Sequence, residues 1–422
     1  MNLKKLFNNT LCNIIVSITK SLIDLLFIKY CIEKFGNDEY SEWVIIIGFV
    51  GFIKLIDLGT NQTLILSFVK QKKDDINSLI RFKLILSFIS ILGALFFTFS
   101  LYDLFNFQFV NNGKLIVLLM LFSQIFYVNI CGPLNSLLIS KEFFIRAIIT
   151  NGIYILIPMI LFLSFRSDKL IDYAYFNLLS LVIVFILQYN LSGFKAYINQ
   201  LKFKPKKYSF DFSTNKAFLF FNIVLISFPF AEIFIIKNTL GNNQLIDHIV
   251  YFRFPLLFSA FLAQLMTNFF PAVSKYSNRC VKSAIIYINK LTKYLIIFSL
   301  ICSMLMFFYL NSLIYLWMGD KYNISYQLLF YIHIIIFFES IIFSLLQIIL
   351  PFNPKLFKIS YFIIELSIRS FLIMILHYTG NLSYEKFLFI TLICKCILCL
   401  KLINSYKIIE IKNISSKELI FF

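Results

Sequence analysis

Residues 172–192, DYAYFNLLSLVIVFILQYNLS, run directly into residues 193–216, GFKAYINQLKFKPKKYSFDFSTNK. The first stretch is apolar for close to the length of one bilayer crossing. The second gathers Lys195, Lys202, Lys204, Lys206, Lys207 and Lys216 around Pro205. A spanning helix needs roughly 20 apolar residues, and loops that stay in the cytoplasm keep the lysines and arginines that are hard to translocate. The join therefore reads as a helix arriving at the cytoplasmic face. The same alternation recurs along the chain and sets the fold class: an all-α integral membrane protein.

Composition agrees. With 60% hydrophobic and only 14% charged residues, the chain has too little polar sequence to coat a water-exposed globule, so lipid is its main solvent. Working outward from residues 172–192, apolar runs predict about twelve transmembrane helices. They lie near 10–32, 43–68, 79–101, 115–139, 147–165, 172–192, 217–237, 245–271, 291–310, 325–350, 357–378 and 384–404. The basic stretch 193–216 follows the sixth. It divides the protein into an N-terminal six-helix bundle (1–192), a basic cytoplasmic linker (193–216), a C-terminal six-helix bundle (217–404) and a cytoplasmic tail (405–422). An even number of helices per half gives both halves one orientation, as in transporters built from parallel repeats. A short echo supports a repeat: Phe35-Gly36-Asn37-Asp38-Glu39 follows the first helix and Leu240-Gly241-Asn242-Asn243-Gln244 follows the seventh.

Most of the 39 lysines and arginines fall in the N-terminal tail and in alternate gaps, and the acids favour the opposite gaps. Both termini are thus expected in the cytoplasm, and the formal charge of +18 is mainly topological. No basic stripe interleaved with aromatics suggests nucleic acid. Lys4 and Lys5 precede an apolar run, but Lys20 and Asp24 interrupt it and no small-residue cleavage site follows, so it reads as an uncleaved first helix. Cys394, Cys396 and Cys399 lie in an apolar segment without a nearby histidine and read as small core hydrophobes. The sequence has no phosphate-binding P-loop, no H-E-x-x-H and no nucleophile elbow. It also has no long outer loop of the kind that membrane polymerases and glycosyltransferases carry. A transporter without cofactor or metal is expected, not an enzyme.

A charge at the bilayer centre costs about 3 kcal/mol on insertion scales, so intramembrane ionisable residues are functional candidates. Ten residues read as candidates of this kind: Lys20, Asp24, Lys54, Asp57, Glu232, Arg253, Glu339, Glu365, Arg369 and Lys395. Helical spacing pairs Lys20 with Asp24, Lys54 with Asp57, and Glu365 with Arg369. These pairs serve either local neutralisation or a substrate or coupling role. Glu232 follows Pro229 by one turn and Arg253 precedes Pro255 by two residues, beside helix distortions that free backbone carbonyls. Both are expected to face a cavity. Glu339 and Lys395 pair with each other or with water defects, and His333 and His377 read as packing or interfacial residues.

One pattern is more specific. Phe35-Gly36-Asn37-Asp38-Glu39-Tyr40-Ser41-Glu42-Trp43, then Ile56-Asp57-Leu58-Gly59, then Lys70-Gln71-Lys72-Lys73, resembles the O-antigen and capsular polysaccharide flippases of the multidrug/oligosaccharidyl-lipid/polysaccharide exporter superfamily. Those proteins typically show L-G-x-x-x-Y-G-x-W followed by an Asp-Leu-Gly step. This chain departs at Ser41, where Gly is usual, and at Thr60, where an apolar residue is usual. Trp317-Met318-Gly319 looks like that family's aromatic-Gly exit turn.

The resemblance implies two six-helix bundles around a central cavity. It implies an undecaprenyl-diphosphate-linked oligosaccharide carried between leaflets of a bacterial inner membrane, with polysaccharide polymerase and chain-length machinery as partners. Arg253, Lys54, Lys20 and Arg369 suit diphosphate contacts, and Glu232, Asp57, Asp24 and Glu339 suit coupling or cavity roles. The competing expectation is a cation-coupled drug or metabolite antiporter of the same superfamily.

Overall fold

A computed structural model describes residues 3–51, 57, 60–69, 73–101, 112–140, 144–192, 212–267, 281–352 and 359–415. Among these it is helical with no strand. The elements are α1 (Leu3–Gly51), α2 (Thr60–Val69), α3 (Lys73–Leu101), α4 (Gly113–Phe126), a π-turn (Tyr127–Cys131), α5 (Gly132–Ser140), α6 (Phe144–Ser164) and α7 (Leu170–Ser192). They continue as α8 (Phe212–Leu240), α9 (Asn242–Thr267), α10 (Val281–Met318), α11 (Tyr326–Phe352), α12 (Ile359–Tyr378) and α13 (Tyr384–Ser415). Since α4, the π-turn and α5 follow without a break, the described helices account for the twelve predicted apolar runs. Seven described segments are long and apolar enough to cross a membrane by themselves, among them Leu79–Phe96, Leu170–Ser192 and Tyr326–Leu346.

The predicted first and second helices are both present within the span of α1, separated by a kink at Gly36, whose φ of 78° and ψ of 176° are not helical. Only glycine enters this region without steric cost. Of the predicted second helix, the described parts are the end of α1, to Gly51, then Asp57, and α2 from Thr60. The predicted loop 193–216 lies outside the described residues up to residue 211, and its remaining residues open α8. Lys54 and the basic turn at residues 70–72 also lie outside the described residues.

The chain divides into two compact units, Leu11–Phe234 and Ile235–Phe422 with Met1–Thr10. In the first, α6 packs on α7, α2 on α3 and α5, and α4 on α3 and α7. Its core includes Cys131, Tyr154, Leu181 and Val184. The conspicuous sequence motif belongs to this unit: Trp43 is buried and meets Tyr173 edge-on at 5.2 Å. Ser41, fully buried, donates to the Asp38 carbonyl at 2.8 Å, so the hydroxyl is satisfied without water. In the second unit α11 is central, packed on α9, α10 and α13, while α12 packs on α13.

Helix α3 shows how such a rod is specified. Leu84, Ile85, Phe88, Ile89, Leu92 and Phe96 form an exposed apolar stripe suited to lipid. Its buried side holds Lys83, Ser90 and Thr98. The two hydroxyls donate back to carbonyls one turn earlier, those of Leu86 and Ala94, which satisfies them inside an apolar bundle.

Candidate functional site

The first unit contains a charged cluster within the second predicted crossing, at Asp57. Asp57 stands just ahead of α2 and caps it: its Oδ1 and Oδ2 accept from the Asn61 backbone N–H at 3.2 and 3.3 Å. The Thr60 hydroxyl lies 2.6 Å from the Asp57 carbonyl and 2.9 Å from Oδ1. This is an N-cap in function, a carboxylate oxygen taking orphan donors of a helix start. The charge itself is met by Lys83 of α3, whose Nζ is 2.6 Å from Asp57 Oδ1. Both residues are buried, Lys83 to 1% exposure.

Helical spacing assigned Asp57 to Lys54. Lys54 lies outside the described residues, and the cation that the structure sets beside Asp57 is Lys83.

Lys83 makes a second contact, donating to the Val128 carbonyl at 3.2 Å, and Asn61 Nδ2 donates to the same oxygen at 3.3 Å. Local sequence explains why that carbonyl is available. In the π-turn the Gly132 N–H goes to the Tyr127 carbonyl, five residues back. The residue five after Val128 is Pro133, which has no N–H. The Val128 oxygen is thus left without a main-chain donor, and two side chains from α2 and α3 fill that need. Ser136 adds a further tie, donating to the Asn61 carbonyl at 3.1 Å.

Lys83 is the functional candidate that sequence reading missed. It falls near the start of the predicted third helix and was not among the intramembrane candidates. The available signal was Pro133, a further proline able to free a carbonyl inside a crossing.

Away from this cluster the first unit is lined with neutral polar groups. Ser123 donates to Asn177 Oδ1 at 2.5 Å and lies 3.2 Å from the Tyr154 hydroxyl, which donates to Gln124 Oε1 at 3.3 Å. Gln188 donates to the Thr150 hydroxyl at 3.3 Å. These link α4, α6 and α7. Of the other candidates in this unit, Asp24 is buried on α1, Lys20 is half-buried one turn earlier, and Glu232 is half-buried on α8.

In the second unit the expected pairings are present. Lys395 Nζ of α13 is 2.6 Å from Glu339 Oε1 of α11. On α12, Arg369 Nε is 3.3 Å from Glu365 Oε1, one turn away. All four residues are at most 7% exposed. Burial of this kind is tolerable only because each carboxylate has a cation beside it. Arg253 is half-buried on α9, ahead of Pro255. His333 is half-buried, with Nδ1 3.2 Å from the Leu329 carbonyl, and His377 is exposed. A buried histidine that sequence reading passed over, His248, has Nδ1 2.9 Å from the Tyr384 hydroxyl.

Among the described residues no group of His, Cys, Asp and Glu is arranged to hold a metal ion. Cys394 and Cys399 are buried and all described cysteines are free.

No protein-family model matches the sequence, and a search of curated proteins finds no significant match. Solved structures do match. The chain is similar to a MOP superfamily transporter from Pyrococcus furiosus, described as having a binding pocket of reversed polarity, with 13% identity, a TM-score of 0.69 and coverage of 96% of this chain and 94% of that one. It is also similar to a MATE protein in a bent conformation, with 12% identity, a TM-score of 0.65 and coverage of 98% and 97%. A mutant of the Vibrio cholerae MATE transporter VcmN gives 13% identity, a TM-score of 0.63 and coverage of 96% of both chains. The chain therefore has the fold of these twelve-helix transporters from end to end.

Proposed function

We propose that this multi-pass membrane protein is a transporter that moves a drug-like or metabolite-sized solute by alternating access, coupled to the counterflow of a cation. What supports the reading is the likeness to MATE and MOP transporters over 96% or more of the chain. Coupling needs ionisable groups whose charge state can differ between the two access states, and Asp24, Glu232 and Glu339 provide buried or half-buried carboxylates. Moving one charge across 100 mV is worth about 2.3 kcal/mol, so a single coupled ion biases the cycle.

A second reading, flipping of an undecaprenyl-diphosphate-linked oligosaccharide, is favoured by a specific observation. The 35–73 pattern resembles the polysaccharide flippases, and the polar seam of Ser123, Gln124, Tyr154 and Asn177 offers hydrogen bonds to neutral hydroxyls. In that reading Arg253, Lys20 and Lys54 answer the diphosphate, whereas Arg369 already faces Glu365. Polysaccharide polymerase and chain-length machinery would be its partners.

The test is reconstitution in liposomes. The antiporter reading expects saturable movement of dye cations or small solutes driven by an imposed proton or sodium gradient. Transfer of a labelled lipid-linked oligosaccharide between leaflets, with no solute moved, would replace it by the flippase reading. For either, the proposed setting is a bacterial inner membrane with both termini in the cytoplasm. Cysteine accessibility that placed residues 193–216 and the C-terminal tail on opposite sides would refute that topology.

A further inference from the structure

The position of the Lys83 ammonium is the position a small hard cation would take. Such ions choose oxygen ligands, carboxylates and main-chain carbonyls above all. Here Nζ lies between Asp57 Oδ1 at 2.6 Å and the Val128 carbonyl at 3.2 Å. The Thr60 hydroxyl is 2.9 Å from the same Oδ1. Asn61 Oδ1 belongs to the same group of residues, is buried, and accepts no hydrogen bond. The carboxylate and the carbonyl deprived of its main-chain donor hold the ammonium directly, and the hydroxyl stands beside the same carboxylate oxygen; with the idle amide oxygen of the neighbouring residue, these are the oxygens a monovalent cation could draw on. The chain fills it with its own side chain, buried to 1% exposure within the apolar window Leu79–Phe96.

We propose that Lys83 is a tethered cation occupying a monovalent-cation site whose direct oxygens are Asp57 Oδ1 and the Val128 carbonyl, with Thr60 and Asn61 beside them, so that no free cation binds there in the native protein. The inference stands on this geometry and is independent of which solute is moved. It assigns Lys83 a positioning role: the ammonium holds the start of α2, the buried side of α3 and the π-turn together. It also makes a definite statement about what the site becomes without its lysine. A truncated side chain leaves the oxygen ligands in place, and sodium takes the position of the ammonium.

The experiment uses purified full-length protein in detergent, with thermal unfolding followed in NaCl and in N-methyl-D-glucamine chloride at equal ionic strength. Lys83→Ala opens the space, and Lys83→Gln supplies one further oxygen. Both are expected to gain a saturable, sodium-dependent rise in Tm beyond any shown by the native protein. Adding Asp57→Asn to Lys83→Ala should abolish that rise. Radioactive sodium binding should increase by one site per chain in Lys83→Ala. Sodium dependence equal to that of the native protein in both variants would overturn the proposal, since Asp57 would then be neutralised by a proton instead. Failure of both variants to fold even when extracted in high sodium would also overturn it, because a free cation is required to replace what the ammonium supplied.

Discussion

Each unit buries a lysine–carboxylate pair at the same separation, 2.6 Å, yet the two pairs are built on different foundations. Glu339 and Lys395 project from the middle of two long helices, α11 and α13, and meet each other there. Asp57 and Lys83 sit where backbone regularity fails, at a helix start and beside a π-turn, and their oxygens and protons also satisfy main-chain groups. The first kind of pair neutralises two charges. The second also holds together an irregular piece of chain, which in a membrane is tolerated only where its freed backbone groups find partners within the protein.

The largest expected effect comes from reversing each pair. Glu339→Lys with Lys395→Glu should leave a folded protein, because either helix can carry either sign. Asp57→Lys with Lys83→Asp should not, because a lysine cannot accept the donors of the α2 start. Thermal unfolding of the two reversed proteins checks this, and equal tolerance would erase the distinction. Next in size, removing one partner alone strands a buried charge. Lys83→Met and Lys395→Met should each cost about 3–5 kcal/mol. The companion change, Asp57→Asn or Glu339→Gln, should recover more of the loss in the second unit than in the first. A double-mutant cycle in each unit measures the difference.

A smaller effect is expected at Gly132. A Cβ there would fall 2.5 Å from Asn61 Nδ2 and 2.7 Å from Oδ1. Gly132→Ala should therefore push Asn61 off the Val128 carbonyl and cost about 1–3 kcal/mol. The smallest is Thr60→Ala, which removes one hydroxyl at the start of α2 and should lower stability by about 1 kcal/mol. If Thr60→Ala proved as damaging as Lys83→Met, the capping geometry and not the charge would dominate this cluster.

How far these differences could be read beforehand depends on regularity. Glu365 and Arg369 were correctly paired because α12 is continuous and a spacing of four residues then fixes a shared face. Glu339 and Lys395 were matched by their lack of partners on their own helices. The helices were legible because the energetic demand of lipid writes each as an apolar run. Asp57 was less legible. Its apolar run gives no sign that its carboxylate caps α2 and meets a lysine of another helix, since lipid-compatible residues fill both sides of it. Gly36, with non-helical backbone, separates the first two predicted helices, and Gly36 and Gly241, both with positive φ, occupy the matching positions of the sequence echo. Lys83 carried its meaning only in three dimensions, through a carbonyl released by a proline 50 positions later in the chain.

The π-turn also fixes the phase of everything that follows it. One residue of an α-helix corresponds to about 100° of rotation. The buried positions Ile116, Val117, Met120 and Leu121 before the turn, and Leu134, Ser136, Leu137 and Leu138 after it, face the protein interior only with the extra residue in place. Deleting a single codon within 127–131 would leave every one of those side chains chemically intact. It would nonetheless swing Ser136 and its neighbours around the rod toward the lipid, so this segment is far less tolerant of a change in length than of a change in composition.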